Sequence, residues 1–337
     1  MKVSVIILNW NGQALMEEFL PSVINNTPAN VAEIIVADNG STDHSIAMLN
    51  EKFPAVKVIR LDKNYGFAEG YNKAIAQTYA TYTVLLNSDV EVTPNWLDAP
   101  ITIMETDTSV AAVQPKILSQ KDKKMFEYAG AAGGFIDIYG YPYCRGRVMS
   151  VVEKDHGQYD TQADILWASG ACLFIRTDIY KMEGGLDANF FAHQEEIDMC
   201  WRLRARGYRI VCTPQSTVYH VGAATLKVGS PQKTFLNFRN NLLMLYKNLP
   251  EKELRRVLRI RFWLDWIAAT KFFIALHPKN AYAVFRARRD FRRLKREYVD
   301  IREENIYKAM DERIAEISRK SLIFLFYIKG KRKFTMI

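Results

Sequence analysis

A chain of 337 residues has room for one large α/β domain with an appendage, or for two domains, and 49% hydrophobic with 25% charged residues matches a globular protein with a sizeable core. The net charge of +9 is uneven: residues 251–337 hold 23 Lys and Arg against 11 Asp and Glu, leaving 23 against 26 in the first 250. Cys144, Cys172, Cys200 and Cys212 form no CxxC pair and no metal-ligand spacing, so they read as reduced thiols in a cytosolic protein.

The first residues lack a long apolar core and a small-residue cleavage site, and 3–8 is a strand rather than a signal peptide. The turn Asn9-Trp10-Asn11-Gly12 leads to helical spacing over 15–24, with a kink at Pro21. A second buried strand, 33–38, ends in Asp38, and Asn39-Gly40-Ser41-Thr42-Asp43 turns into a helix with Ser41 or Thr42 as N-cap. A third strand over 56–61, the turn Asn64-Tyr65-Gly66-Phe67, a helix over 68–79 and a fourth strand over 82–87 follow. That last strand closes on a polar tip, Asn87-Ser88-Asp89, after which the chain alternates as an extended segment. Strand and helix alternate every ~25–30 residues, the βαβ rhythm of a parallel sheet, and strands apolar on both faces suit helices covering both sides. In such a sheet the tips at 9–11, 38–43, 64–66 and 87–89 all lie at the carboxyl edge, where open α/β sheets bind ligands.

Neither GxGxxG nor GxxxxGK[ST] follows the first strand, which disfavours a dinucleotide oxidoreductase and a P-loop NTPase. Phosphates bound here are held by a cation instead of a glycine-rich helix start. Asp89 is the kind of oxygen ligand that a hard divalent cation on a diphosphate needs.

Four stretches, Val3 to Asn11, Val36 to Asp43, Asn64-Tyr65-Gly66-Phe67-Ala68 and Leu85-Leu86-Asn87-Ser88-Asp89, resemble the family 2 glycosyltransferases with the GT-A fold. The resemblance covers about residues 1–245 and is nearest the rhamnosyltransferase-like members that build cell-surface polysaccharides. It implies an α/β fold of GT-A type, a mostly parallel sheet followed by a basic C-terminal helical region. It also implies nucleotide-sugar contacts from Asn9, Asn11, Asp38, Asn64, Asn87 and Asp89, with Asp38 toward the base and Asp89 toward the diphosphate and its Mn2+ or Mg2+. The family tip is Asp-x-Asp, and here the first position is Asn87, which leaves Asp89 as its only carboxylate.

A helix over 96–107 with a candidate break at Pro100 and a strand over 110–116 come next. Residues 117–163, rich in Gly, Tyr and charge, read either as a hairpin or mobile loop over the pocket or as surface decoration. The stretch 165–176 returns to a strand, on which Trp167 is a stacking platform for an acceptor sugar or a core residue. Phe190-Phe191-Ala192-His193-Gln194-Glu195-Glu196-Ile197-Asp198 then opens a helix stopped by Gly207. Acids in a first turn suit the macrodipole. Three in four positions exceed what capping needs, and the Phe-Phe run leading in keeps one of them partly desolvated and basic. Inverting sugar transfer requires a general base. The family motif Glu-Asp-x-Asp implies that its second acid, here Glu196, is that base, with Glu195 as fallback. Asp198 orients the helix or binds an acceptor hydroxyl. A strand over 208–212 precedes Thr217-Val218-Tyr219-His220, where the family places a metal-binding histidine, so His220 joins Asp89 as a protein ligand, while His193 has no matching role.

A helix over 235–246 closes the catalytic domain, 1–248, and Asn248-Leu249-Pro250 separates it from a basic amphipathic region, 249–337. Residues 262–276 form an apolar block too short and too charged to span a bilayer, and Trp and Phe beside Lys and Arg suit an interfacial helix. The polybasic run 286–296 and the apolar-then-basic tail 322–333 favour an anionic membrane surface over nucleic acid as partner. The expectation is a cytoplasmic, inner-face peripheral enzyme. It would move a sugar, rhamnose among the candidates, from a nucleotide diphosphate to a hydroxyl of a cell-surface glycan or lipid-linked acceptor. The rival classes are a sugar nucleotidyltransferase and a catalytically inactive nucleotide-sugar-binding membrane module.

Overall fold

The computed structural model describes residues 1–222, 229–310 and 314–337. Its first half follows the βαβ rhythm: β1 (Val3–Asn9), α1 (Gln13–Asn26), β2 (Ala32–Asn39), α2 (Ser45–Lys52), β3 (Lys57–Leu61), α3 (Gly66–Ala76) and β4 (Tyr82–Asn87). Strands β3, β2, β1 and β4 lie side by side and parallel, so their tips share one edge. Pro21 sits inside α1. The N-cap of α2 is neither Ser41 nor Thr42. The helix begins later, at Ser45, whose amide donates to Asp43 at 3.1 Å, because Ser41 and Thr42 are engaged with the first turn of the chain.

After the Asp89 tip the chain reverses through β5 (Val90–Val92), α4 (Asp98–Thr106) and β6 (Val110–Ser119). Pro100 lies in the first turn of α4 and does not break it, since an amide near a helix start has no intrahelical partner to lose. The insert forms short antiparallel hairpins, β7 (Gly134–Ile136), β8 (Pro142–Cys144), β9 (Arg147–Val148) and β10 (Val151–Val152), as a second, four-stranded sheet. Its Tyr143 and Val148 pack on Leu322 and Phe326 of the tail. Strand β11 (Ala163–Asp164) is at the edge of the main sheet, and β12 (Cys172–Arg176) runs antiparallel between β4 and β6. The expected strand over 165–176 is therefore confined to its last five residues. Residues ahead of it turn beneath the tip, where Asn87 N donates to Ala171 O at 3.0 Å.

Helices α5 (Thr177–Met182) and α6 (Glu195–Ala205) lead to β13 (Arg209–His220). The strand expected over 208–212 continues through Thr217 to His220 as one, paired with β6 and shifted in register between Thr213 and Thr217. Helices α7 (Pro231–Asn248), α8 (Glu251–Ile274), α9 (Pro278–Leu294) and α10 (Val299–Tyr307) follow. Ser230 caps α7 by accepting from Lys233 N, with Pro231 at the first helical position. One apolar cluster joins Ile6 and Leu85 of the sheet, Met199 of α6, Leu243 of α7, Val257 of α8 and Phe291 of α9.

Candidate active site

The rim is built by short polar side chains that tie one turn to the next. Asn9 and Asp38 are paired in register on β1 and β2, which lets Asn9 Nδ2 donate to Asp38 Oδ1 at 3.0 Å and to Ser41 Oγ at 3.2 Å. The second oxygen of Asp38 accepts from Ser41 N at 3.1 Å, so this buried carboxylate is committed to the turn. Asn11, at φ 51°, accepts from Thr42 N at 2.7 Å, and the Asn9 side-chain oxygen is buried without a partner. Asn64 Oδ1 accepts from Gly66 N at 2.8 Å and from Asn39 Nδ2 at 3.2 Å.

Asp89 and His220 meet because β5 leaves the tip antiparallel to β13, setting His220 opposite Val90. His220 Nε2 lies 3.1 Å from Asp89 Oδ1 and 3.3 Å from the Asn87 amide, and Asp89 Oδ2 accepts from Gly222 N at 3.2 Å. Behind the ring, Glu127 places Oε1 3.5 Å from His220 Nδ1. All three ionisable groups are buried. Burial opposes charge on the imidazole, but hydrogen bonds and charge from Asp89 and Glu127 outweigh it and raise its pKa to about 10. Burial likewise opposes ionisation of Asp89, and the His220 hydrogen bond prevails to hold that carboxyl below its ordinary value. Glu127 arrives from the insert, where its amide bonds Ile117 O, and Gly222 at φ +74° leaves it room, since a Cβ there would stand 3.0 Å from Glu127 Oε1.

Asp89 Oδ1 and His220 Nε2 are the two side-chain atoms of this corner that could ligate a divalent cation, and the imidazole would first have to give up the proton it shares with Asp89. Among the described residues no three His, Cys, Asp or Glu side chains converge on one point. That suits a cation completed by substrate phosphates and water. Glu127 stands where a carboxylate would orient a ligating histidine.

The acidic helix reaches the same edge. Phe191 O accepts from Phe67 N at 2.6 Å, and the Phe191 ring fills the space beside Gly66, where a Cβ would stand 2.5 Å from the ring. Phe191, His193 and Gln194 all have positive φ, a strained run for residues that are not glycine. Asn240 of α7 fixes it by donating to the carbonyls of Phe190, Ala192 and His193 at 2.9, 3.0 and 2.7 Å. Asn241 donates to Gln194 Oε1 at 3.1 Å. Glu195 is buried and Glu196 half-buried, each with one oxygen lacking a partner. Burial pushes both carboxyls up, Glu196 to about 7 and Glu195 further, with the Glu196 charge adding to it. The two neighbouring carboxyls titrate as a pair whose ionisation burial opposes. Burial lowers the His193 imidazole to about 4, aided by the charge of Lys233.

Two acceptor-side residues have other duties. Trp167 is 3% exposed, donates from Nε1 to Phe135 O at 3.0 Å and packs on Gly134, so it is a core residue with no open face for a sugar. Asp198 is fully buried against Lys247 at 2.7 Å, Asn248 at 2.9 Å and Arg202 at 3.1 Å, so it orients α6 and leaves no oxygen for an acceptor. Sequence reasoning missed Glu127, hidden in an aperiodic insert, as well as Asn240 and Asn241. Two adjacent asparagines inside an otherwise well-formed helix were the available signal, since asparagine disfavours helix interiors.

A doubly covered, mostly parallel sheet with an Asp–His corner and an acidic helix at its carboxyl edge defines a GT-A glycosyltransferase. Residues 4–166 match the model of Glycosyl transferase family 2. The chain is 26% identical over 227 residues to the O-antigen biosynthesis protein RfbC of Myxococcus xanthus, covering 66% of this chain and 18% of that one. It is 24% identical over 232 residues to an N-acetylglucosaminyl-diphospho-decaprenol L-rhamnosyltransferase of Mycobacterium tuberculosis, covering 64% and 75%. The chain thus spans under a fifth of the first relative and three quarters of the second. Among solved structures, GalNAc-T7 with UDP, GalNAc and Mn2+ aligns with TM-score 0.60 at 16% identity over 89% of this chain and 56% of that one. S. aureus TarS 1-349 in complex with UDP-GlcNAc aligns with TM-score 0.57 at 15% identity, over 91% and 89%. The comparisons support a glycosyltransferase whose residues 4–166 match family 2, and the sequence likeness extends to a rhamnosyltransferase.

Proposed function

We propose that this glycosyltransferase moves a sugar, rhamnose among the candidates, with inversion, from a nucleoside diphosphate to a hydroxyl of a cell-surface glycan or lipid-linked saccharide. The observation that carries this reading is the buried Asp89–His220 pair, set at the carboxyl edge with Glu195 and Glu196 at the start of a helix on the same edge. Asp89 and His220 would hold Mn2+ or Mg2+, which when bound neutralises charge on the departing diphosphate. Asn87 borders that corner, and the Glu127 carboxylate stands 3.5 Å behind the His220 ring. The Asn9–Asp38–Ser41 and Asn11–Thr42 turns, with Asn64, form the wall against which the nucleotide lies. Glu196 takes the proton of the acceptor hydroxyl as its oxygen bonds the anomeric carbon and the bond to the diphosphate breaks. Burial of Glu195 beside it opposes a second negative charge next to that base.

Residues 1–248 carry this chemistry, and the basic helices of 249–337 keep the enzyme at an anionic membrane, where a lipid-carried acceptor is found. Among the described residues, no helix is long and apolar enough to cross a membrane. The test is a thermal-shift and hydrolysis screen with UDP-, dTDP- and GDP-sugars, with Mn2+ and with a chelator. One donor should stabilise and turn over only with the cation, and His220→Ala should lose the cation dependence. Equal stabilisation with chelator present would refute the Asp89–His220 assignment.

A further inference from the structure

Helix α8 has two faces, and its outer one changes character halfway along. Leu254, Val257, Arg261, Asp265 and Ala269 form the buried stripe. Opposite them, the first turns expose Arg255, Arg256 and Arg259, as expected for a helix in water. Beyond Arg261 the outward positions become apolar. Trp263 is 65% exposed, Ile267 65%, Phe273 67% and Ile274 75%, with Trp266 beside them and Leu276 in the turn to α9. Six large apolar side chains on one exposed face exceed the scatter of single hydrophobics normal on a protein surface.

The charge around this face has one sign. From Phe262 to Arg289 the only carboxylate is Asp265, fully buried and paired with Arg261 and Arg288. Lys271, Lys279 and Arg286 are exposed along the same stretch, next to the exposed rings of Tyr282 and Phe285. The tail adds to this surface: Lys271 lies 5.4 Å over the Tyr327 ring, and Phe324, Tyr327 and Ile328 are exposed ahead of Lys329, Arg332 and Lys333.

We infer that the C-terminal half of α8, the α8–α9 turn and the adjoining tail form a docking face for an anionic lipid bilayer. Trp263, Trp266, Ile267 and Ile274 enter the headgroup–acyl boundary while the lysines and arginines contact lipid phosphates. A second copy of the chain is a poorer occupant, because an isologous contact would set Lys271, Lys279 and Arg286 against their own counterparts with no exposed acid to pair them. A soluble acidic protein would match the charge, but not a row of exposed Trp and Ile interrupted only by Thr270 and Lys271. The inference deepens the membrane-attachment part of the reading above and rests on it.

The test is sedimentation of the full-length protein with vesicles of phosphatidylcholine alone and of phosphatidylcholine mixed with phosphatidylglycerol. The native chain should bind the mixed vesicles, and less tightly as salt rises. Trp263→Ser combined with Ile274→Ser should weaken binding by roughly tenfold or more. Lys271→Gln with Lys279→Gln should weaken it less and reduce its salt dependence. These side chains are exposed, so circular dichroism and the thermal shift with donor and Mn2+ should stay as in the native chain. Binding by the Trp263/Ile274 variant equal to native would overturn this face while leaving membrane attachment intact. No binding of the native chain to either vesicle would overturn both, and sugar transfer would still stand on donor turnover. A dimer in light scattering, lost in the Trp263/Ile274 variant and unaffected by vesicles, would reassign the face to self-association.

Discussion

At the scale of single residues the site works by desolvation. Glu196, the proposed base, is an acid whose ionised form the fold opposes, which would make it basic enough to receive a hydroxyl proton near neutral pH. Only ionised Glu196 can act, so transfer should fall as the pH drops through about 7. Glu196→Gln should lower the transfer rate by about 10²-fold or more while donor binding with Mn2+ persists. The same shift predicts a stability effect of opposite sense. The folded state keeps this proton to higher pH than the unfolded chain, so the contribution of Glu196 to stability falls as the pH rises from about 4.5 to about 7 and stays low above that. Glu196→Gln should therefore melt higher than the native chain at pH 8, and a lower melting point there would contradict the burial argument. Glu196 was legible in the sequence because a helix-start acid cluster behind Phe-Phe is unusual. Its partner-free oxygen was not, since that depends on what surrounds it in space.

At the scale of elements the decisive contacts tie helices to loops. Helix α6 is held by Asp198, which pairs with Lys247 of α7 and with Arg202 one turn on. Burial opposes that charge, and Lys247 and Arg202 overcome it to keep the carboxyl below its ordinary value. Asp198→Ala would leave both cations short of a buried counter-charge. Denaturant unfolding should show a loss of about 3 kcal/mol, softened by Asp187, which also contacts Lys247 at 2.6 Å. A loss under about 1 kcal/mol would return Asp198 to the acceptor side, where kinetics would then have to show its effect. The helices and parallel strands of the first 100 residues were readable from periodicity. The insert was not, because strands of two or three residues are too short to show a period, and β12 was overextended because an apolar run looks alike in strand and buried turn.

At the scale of the molecule, one apolar cluster runs from the sheet through α6 and α7 into α8, α9 and Tyr298. We propose that the last quarter is a layer of the catalytic unit and not an independent domain, although Pro250 marks a clean break between α7 and α8. A chain ending at residue 248 should expose the apolar side of α7 and show no cooperative melting transition. A soluble fragment melting close to the full-length protein would restore the two-domain division. The amino-acid sequence by itself determined the parallel sheet, the alignment of four polar tips on one edge, the acidic helix start and the segregation of positive charge, because each is written in local period, local composition or a short motif. Only the tertiary structure decided that Glu127 backs His220, that Trp167 is core, that Asp198 is spent on Lys247, and which side of α8 is left bare. Those outcomes depend on which distant segments arrive beside one another, and no local pattern encodes the neighbour.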